Sequence, residues 1–585
     1  MKKLFALIFF SFLAASANQA LAQVSEEIIN QQNRLLQRSA QFEEERKNER
    51  ELQENVEEKK VIELEQEEED DVEEIGSVVQ KLESLRCFRI NEIRVLHNDL
   101  ITDAKAAAIT SQYEKKCLSK KRIIQISEEI QQLLFDEGYV NSKARLTNSN
   151  FESGLVEIVV LTGVIEEIIF APRSLLNDLQ VLANFGELKK GKTLNIKEIE
   201  KALKPLKSMP SSHVKVKIAP GKSELSSIVI IENDAKNQLR SNLFYDNYGN
   251  KITGEKRENI SVEADNIFRL NDSLSLFRTA NDLDERRKKQ GGNNSFGGNF
   301  SLPLGSYKLS LSYSNAAYFF WQNSLRSAGE TSNKNLALEK FLIRNDLMKM
   351  GSTLGFAMRN TRQFINDERV EASSRKSSIL NLELPTTFFL KDALLLVKPS
   401  YSKGLSVFDA KKDDRNLEKN SAKNQFDVFK IYANYSRDIK ISDKKFALKS
   451  SFIWQRSSQS LYAIDRISMG GIKSVRGFKE GTISGDFGYG MRSEISANLG
   501  DFDFLPLALK NFSLAPFYDY GHVESKYGNN SGRLAAAGLG LSFKKNGVRG
   551  EMIFSKVLSR SHLLGSSYQE KGAIFFNLGY ELGFF

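Results

Sequence analysis

Residues 307–314, Tyr-Lys-Leu-Ser-Leu-Ser-Tyr-Ser, alternate without a break: Tyr307, Leu309, Leu311 and Tyr313 face one way, and Lys308, Ser310, Ser312 and Ser314 the other. Side chains along a strand point to opposite faces in turn, so this run predicts a strand with one apolar and one wet face. From Leu239 onward the helical period disappears and such runs recur, separated by stretches read as polar loops, such as DERRKKQGGNNSFGG at 284–298. The final run places Ile574, Phe576, Leu578, Tyr580, Leu582 and Phe584 on one face, with Asn577, Gly579, Glu581 and Gly583 opposite. A sandwich of ordinary size would not use about 345 residues, and no solenoid repeat is visible. At about 10 residues per strand plus turns, this length suits roughly 14 to 18 strands. The expectation is a transmembrane β-barrel of about 16 antiparallel strands over 236–585.

The region before it has other periods. Residues 25–52 carry Ile28/Ile29 and Leu35/Leu36 at a spacing of seven, uninterrupted by glycine or proline, which predicts a helix with a thin apolar stripe. Such a stripe can hardly pack a core of its own. An acidic stretch follows, including Glu67-Glu68-Glu69-Asp70-Asp71, and reads as a linker extended by its own repulsion. From Cys87, CFRINEIRVL alternates as a strand, followed by helical stretches at 103–113 and 123–137, ended by Gly138, and by two strands. From Val164 the same β-α-α-β-β order begins again. Its second helix starts at Asn195, with Leu194 and Ile199 as a hydrophobic staple and Glu198 at the capping-box position. Its closing strands join through Pro220-Gly221. Two small α+β domains in tandem are expected, at 86–163 and 164–235.

Composition narrows the class. Met1-Lys2-Lys3, an apolar run from Leu4 to Ala17, and Ala20-Leu21-Ala22 predict a signal peptide over 1–22. No later stretch approaches 18 consecutive apolar residues, and mean hydropathy is −0.37, values that a barrel's alternating strands also produce. The net charge of +9 understates how basic the chain is outside its acidic stretch, yet no aromatic–basic module points to nucleic acid. Two cysteines, Cys87 and Cys117, make a single disulfide the natural expectation in an exported chain. With four scattered histidines they assemble no recognisable metal site, and no nucleophile motif is present.

Several motifs then line up in order. Cys87-Phe88, Cys117-Leu118 and Asp136-Glu137-Gly138-Tyr139-Val140 precede Gly191 through Leu203 and Pro220-Gly221. Asp246-Asn247-Tyr248-Gly249, Gly254, Asp265-Asn266 and Asn271-Asp272-Ser273 follow, then Gly470-Gly471 with Val475-Arg476-Gly477-Phe478, and Phe517-Tyr518-Asp519-Tyr520-Gly521. The set resembles the outer-membrane transporters of two-partner secretion, the TpsB family (ShlB/FhaC-like haemolysin activation/secretion proteins) of the POTRA-barrel superfamily, over nearly the whole mature chain. Pro205 departs from a continuous helix, since its ring removes a backbone donor and should end or kink the element.

The resemblance implies two periplasmic POTRA domains, the first with Cys87 and Cys117 paired, and a lumen-plugging helix at 23–50 tethered by a linker at 51–85. It implies that the Val475–Phe478 tip of the sixth extracellular loop folds back into the barrel so that Arg476 pairs with Asp519. A guanidinium fork meeting a carboxylate inside a narrow lumen suits that role. Glu494 is either a further wall partner or a solvated lumen carboxylate. Asn577, Gly579, Leu582 and Phe584 resemble a carboxy-terminal signal for the barrel-assembly machinery, with Phe585 one residue beyond the usual end. The implied function is ATP-independent secretion of one large β-helical exoprotein of haemolysin, adhesin or contact-dependent-inhibition type. Its amino-terminal secretion domain would be received, unfolded, by the POTRA domains. The implied location is the outer membrane of a Gram-negative bacterium, in outer-membrane lipid, with no cofactor. An outer-membrane-protein or autotransporter assembly factor is the rival reading, and the presence of only two POTRA domains, the cysteine pair and the long amino-terminal helix stand against it. A passive porin would need no POTRA domains, and an enzyme reading has no catalytic constellation behind it.

Overall fold

The computed structural model describes residues 30–53, 55–56, 59, 87–97, 99–147, 151–171, 190–207, 209–236, 238–281, 291–322, 324–442, 444–479, 482–501, 511–527, 530–565 and 568–584. The signal peptide, most of the acidic linker, the first helix of the second small domain and Phe585 lie outside these residues.

The first small domain differs from the expectation in one respect. CFRINEIRVL is two strands, Cys87–Ile90 and Glu92–Leu96, and they join different sheets. Cys87–Ile90 pairs with Lys116–Ser119, a strand between the two expected helices that the sequence left unassigned, while Glu92–Leu96 runs parallel to Leu155–Leu161 in a three-stranded sheet completed by Lys143–Leu146. The break falls at Asn91, where the backbone N–H groups of Asn91 and Glu92 both donate to Gly154 O and turn the chain. Helix Lys120–Asp136 covers the sheet, burying Ile123, Ile126, Ile130 and Leu134 on one stripe. It ends at Gly138, whose φ of +91° is a left-handed helix stop that favours glycine.

In the second domain Val164–Ala171, Ser226–Asn233 and Val214–Pro220 form a sheet with Ser226–Asn233 central. Helix Ile196–Lys207 begins as its sequence requires: Asn195 Oδ1 accepts from the N–H groups of Lys197 (2.9 Å) and Glu198 (3.3 Å), and Leu194 and Ile199 are both fully buried. It runs through Pro205 and ends two residues later, at Lys207.

Among the described residues, sixteen antiparallel strands close into a barrel from Leu239–Asp246 to Gly572–Phe584. Of the stretch read as a polar loop at 284–298, Gly291 onward lies in a wall strand, Gly291–Leu304. Glu368–Arg369, Arg375–Glu383 and Thr386–Leu390 all pair with Met348–Ile365 and make one interrupted wall strand. Closure runs from Asn577↔Asp246 to Phe584↔Leu239, so no wall edge is left unpaired in lipid. The Asn247 side chain extends that seam, donating to Ile574 O (3.0 Å) and accepting from Phe576 N (2.8 Å). Outward residues such as Leu276, Leu311, Leu354, Phe429 and Ile574 are exposed, as a lipid-facing band requires. No helix among the described residues is long and apolar enough to cross a membrane.

Candidate functional site

The loop between strands Lys444–Ser457 and Phe487–Asn498 does not project outward. Its arms, Ile467–Met469 and Ile483–Gly485, pair antiparallel with each other, and Gly470 (φ +117°) and Gly471 (φ +93°) turn the chain beyond them. Ser474 Oγ holds that turn, accepting from Gly470 N (2.8 Å) and donating to Gly470 O (3.0 Å). Val475 and Phe478, both fully buried, pack with Met469, Val523, Leu534 and Ala536. Between them, Gly477 sits so close to the wall that a Cβ there would lie 2.5 Å from Ala536 Cβ.

This seating presents Arg476, 3% exposed, to the wall. Its Nε lies 2.8 Å from Asp519 Oδ2 and its Nη2 2.8 Å from Asp519 Oδ1, and its own backbone N–H donates to Asp519 Oδ2 at 3.0 Å. Nη1 reaches Glu494 Oε2 at 2.8 Å, so Glu494 is a wall partner and not a free lumen carboxylate. Glu494 pairs with Phe517 across neighbouring strands, which sets the two carboxylates diagonally around one guanidinium. The Phe517 ring lies 3.7 Å from Arg476 Cζ and covers its flat face. Ser555 Oγ donates to Arg476 O at 2.8 Å from a third strand. Sequence reasoning missed Phe517 and Ser555 as contacts, since only the folded-back loop brings them to the arginine.

Helix 30–53 runs through the lumen. At 1.5 Å per residue it is ~36 Å long, more than a bilayer core of about 30 Å. Leu35 and Leu36 pack on the inward-facing Tyr318 and Phe320 and on Ile464 of the loop, a burial worth about 1.5–3 kcal/mol for each leucine. Polar contacts reach opposite walls: Glu43 meets Ser314 and Asn333, Glu44 Oε2 lies 3.0 Å from Lys430 Nζ, and Glu51 and Asn48 hold Lys398. Arg46 stacks on Phe277 at 3.9 Å. The helix also grips the loop. Lys473 Nζ pairs with Glu45 (3.3 Å) and Glu49 (3.0 Å), and the side chains of Gln37, Arg38 and Gln41 donate to Ser484, Lys479 and Ser468. Lys473 is three residues from Arg476, so one loop carries both the contact to the helix and the contact to Asp519. The charge pattern EEERKNERE signals this role only once a charged lumen surrounds it.

The other predicted residues lie elsewhere. Cys87 and Cys117 are joined, with Cα atoms 5.4 Å apart, tying the two-stranded sheet of the first small domain. Asn577, Gly579, Leu582 and Phe584 lie on the closing strand opposite Asp246, Phe244, Ser241 and Leu239. Asp246 receives Arg257 (2.9 and 3.1 Å), Asp265 receives Arg240, and Asp272 accepts from the N–H groups of Ile267 and Phe268. These motifs shape the first strands and their turns, and none of these contacts involves Arg476 or Asp519.

Comparisons agree with this architecture. The model of the haemolysin secretion/activation proteins ShlB/FhaC/HecB matches residues 226–543, and that of the ShlB-type POTRA domain matches residues 88–163. The outer membrane transporter CdiB of Dickeya dadantii (strain 3937) is 27% identical over 454 residues, covering 75% of this chain and 76% of that protein. The hemolysin transporter protein ShlB of Serratia marcescens is 25% identical over 425 residues, covering 72% and 74%. The solved structure of CdiB from Escherichia coli shares the fold with a TM-score of 0.72 at 22% identity, covering 90% of this chain and 99% of that one.

Proposed function

Because the chain belongs to the haemolysin secretion/activation family of ShlB, FhaC and HecB, we propose that it secretes one dedicated exoprotein through its barrel and that its lumen is closed at rest by helix 30–53 and the returning loop. It is an outer-membrane transporter with POTRA domains in the periplasm. The observation that carries the closed-lumen reading is the helix itself, held to facing walls and to the loop that seats Arg476 on Asp519. Each pair is exchanged for water or cargo when the helix leaves, so the pairs fix where the helix sits while its buried leucines supply the apolar contact.

The cargo, a large β-helical protein of haemolysin, adhesin or contact-dependent-inhibition type, arrives unfolded and docks by its amino-terminal secretion domain on POTRA sheet edges, where main-chain hydrogen bonds give affinity without demanding one sequence. Folding outside draws the remainder through. The closing strand, with Asn577, Gly579, Leu582 and Phe584, is the segment offered to the barrel-assembly machinery on the way into lipid. Cys87–Cys117 holds the first POTRA domain in shape in the oxidising periplasm. No catalytic step is assigned.

The test compares culture medium, cell surface and outer membrane with and without the gene. Loss of one large exported protein, with other barrels intact, is the expected result. A general fall in many outer-membrane barrels would instead establish an assembly factor.

A further inference from the structure

Arg476 and Asp519 anchor only one end of the returning loop. Its other end leaves strand Lys444–Ser457 and makes a short helical turn, Ala463–Asp465. There Asp465 Oδ1 lies 2.5 Å from Arg359 Nη1 on strand Met348–Ile365, and the aspartate side chain is 7% exposed. Gln455 Nε2 donates to Asp465 O at 3.0 Å, and the Arg375 guanidinium lies 3.6 Å over the Tyr462 ring. Arg359 stands six wall strands from Asp519, so the two ion pairs stretch one loop across the lumen. The wall starts at the periplasmic domains, and Met348–Ile365 is its seventh strand, so the Ile365 end is extracellular. Arg359, near that end, belongs to the extracellular half.

This pair is also tied to the helix. Asn333 sits directly opposite Arg359 on the neighbouring strand, and both ends of its amide are engaged. Its Oδ1 accepts from Arg359 Nε at 3.1 Å, and its Nδ2 donates to Glu43 Oε2 at 2.8 Å. Ile464, beside Asp465 in the chain, packs on Leu35 and Leu36. Withdrawal of helix 30–53 therefore strips Glu43 from Asn333 and uncovers Ile464 together. A buried ion pair adds little net stability over apolar packing, and its best-attested use is to fix one arrangement that can be switched. Arg359–Asp465 has that form, with one partner on the wall and the other on a loop that lies over the exit.

Resting on the transporter and closed-lumen readings above, we infer that Arg359 and Asp465 are positioning residues for export. They form an outer latch that holds the loop over the exit while Glu43 is in place and lets go when the helix withdraws. Arg476 keeps its seat on Asp519 throughout.

The test reads the resting conductance of the full chain in planar bilayers, with the heat-modifiable band as the check that the barrel is folded. Asp465→Asn keeps the side chain's size and removes its charge, and Arg359→Gln removes the opposite charge. Each should raise the time spent open by about tenfold or more, because one buried charge is left unpaired. The exchanged pair, Arg359→Asp with Asp465→Arg, should restore most of the closure, a rescue that lost packing would not give. Glu43→Gln should also open the channel, and adding Asp465→Asn to it should give less than the product of the two effects, as coupled residues do. Folded Asp465→Asn and Arg359→Gln proteins that conduct like wild type overturn the latch. An exchanged pair no better than either single change overturns it too, as does a full product with Glu43→Gln. Deleting residues 25–50 separates this from the broader reading. If that deletion leaves conductance unchanged, the plug itself fails. If it raises conductance while Asp465→Asn stays at the wild-type level, only the latch fails.

Discussion

Arg476→Ala removes a guanidinium that makes two 2.8 Å hydrogen bonds to Asp519 and a third, also 2.8 Å, to Glu494. Asp519 has no exposure to solvent and would keep the hydrogen bond from the backbone N–H of residue 476. Stripping one partner from a buried ion pair costs about 3–5 kcal/mol, because the remaining charge is left without compensation. Glu494 adds little, since its side chain is 28% exposed and water replaces the arginine. At about 1.4 kcal/mol per decade, the docked loop should lose roughly a hundredfold to a few-thousandfold in its equilibrium against undocked forms. The sixteen-strand wall keeps its ladder hydrogen bonds, so the folded barrel should still insert and still migrate as a compact heat-modifiable band. Export of the exoprotein should fall sharply. Arg476→Lys should fall between wild type and alanine, since an ammonium keeps the charge and loses the fork. Adding Asp519→Asn to Arg476→Ala should cost little more than either change alone, as expected of one coupled pair. An Arg476→Ala protein that inserts normally and exports like wild type would refute the reasoning.

Deleting residues 25–50 should raise resting single-channel conductance in planar bilayers, and an unchanged conductance would count against a lumen plug. Gly477→Ala should impair export because its methyl would sit 2.5 Å from Ala536 Cβ, and Ala536→Gly should restore export in the double variant; failure of the rescue would mean that the contact is not what limits the loop. Glu166, at the second POTRA domain's turn, has its carboxyl held below the usual range first by the Lys222 backbone N–H and then by Ser226. A lowered folded pKa adds stability above the unfolded value that is lost as pH falls through the folded one, so Glu166→Gln should flatten the acid limb of that domain's unfolding curve. An acid limb identical to wild type would remove Glu166 from the account.

Period-two alternation along residues 307–314 and 573–584 was enough to read a barrel, because each side chain there meets only lipid or lumen. The caps were equally local: Asn195 needs only the next three residues, and Gly138 only its own φ. The run Ala316-Ala317-Tyr318-Phe319-Phe320-Trp321 shows where local reading stops, since both faces are apolar. The unbroken register from Tyr307 sets Tyr318 and Phe320 inward, but what buries them there, Leu35 and Leu36, lies almost 300 residues earlier. The same limit hid the Asn91 break, which depends on Gly154, and left Glu494 undecided between two roles until Arg476 was placed. Sequence alone therefore determined the barrel strands, the tandem domains and the two residues, Arg476 and Asp519, that the structure brings together. Which charges meet and what occupies the lumen were decided by tertiary structure, because those outcomes belong to pairs of segments far apart in the chain.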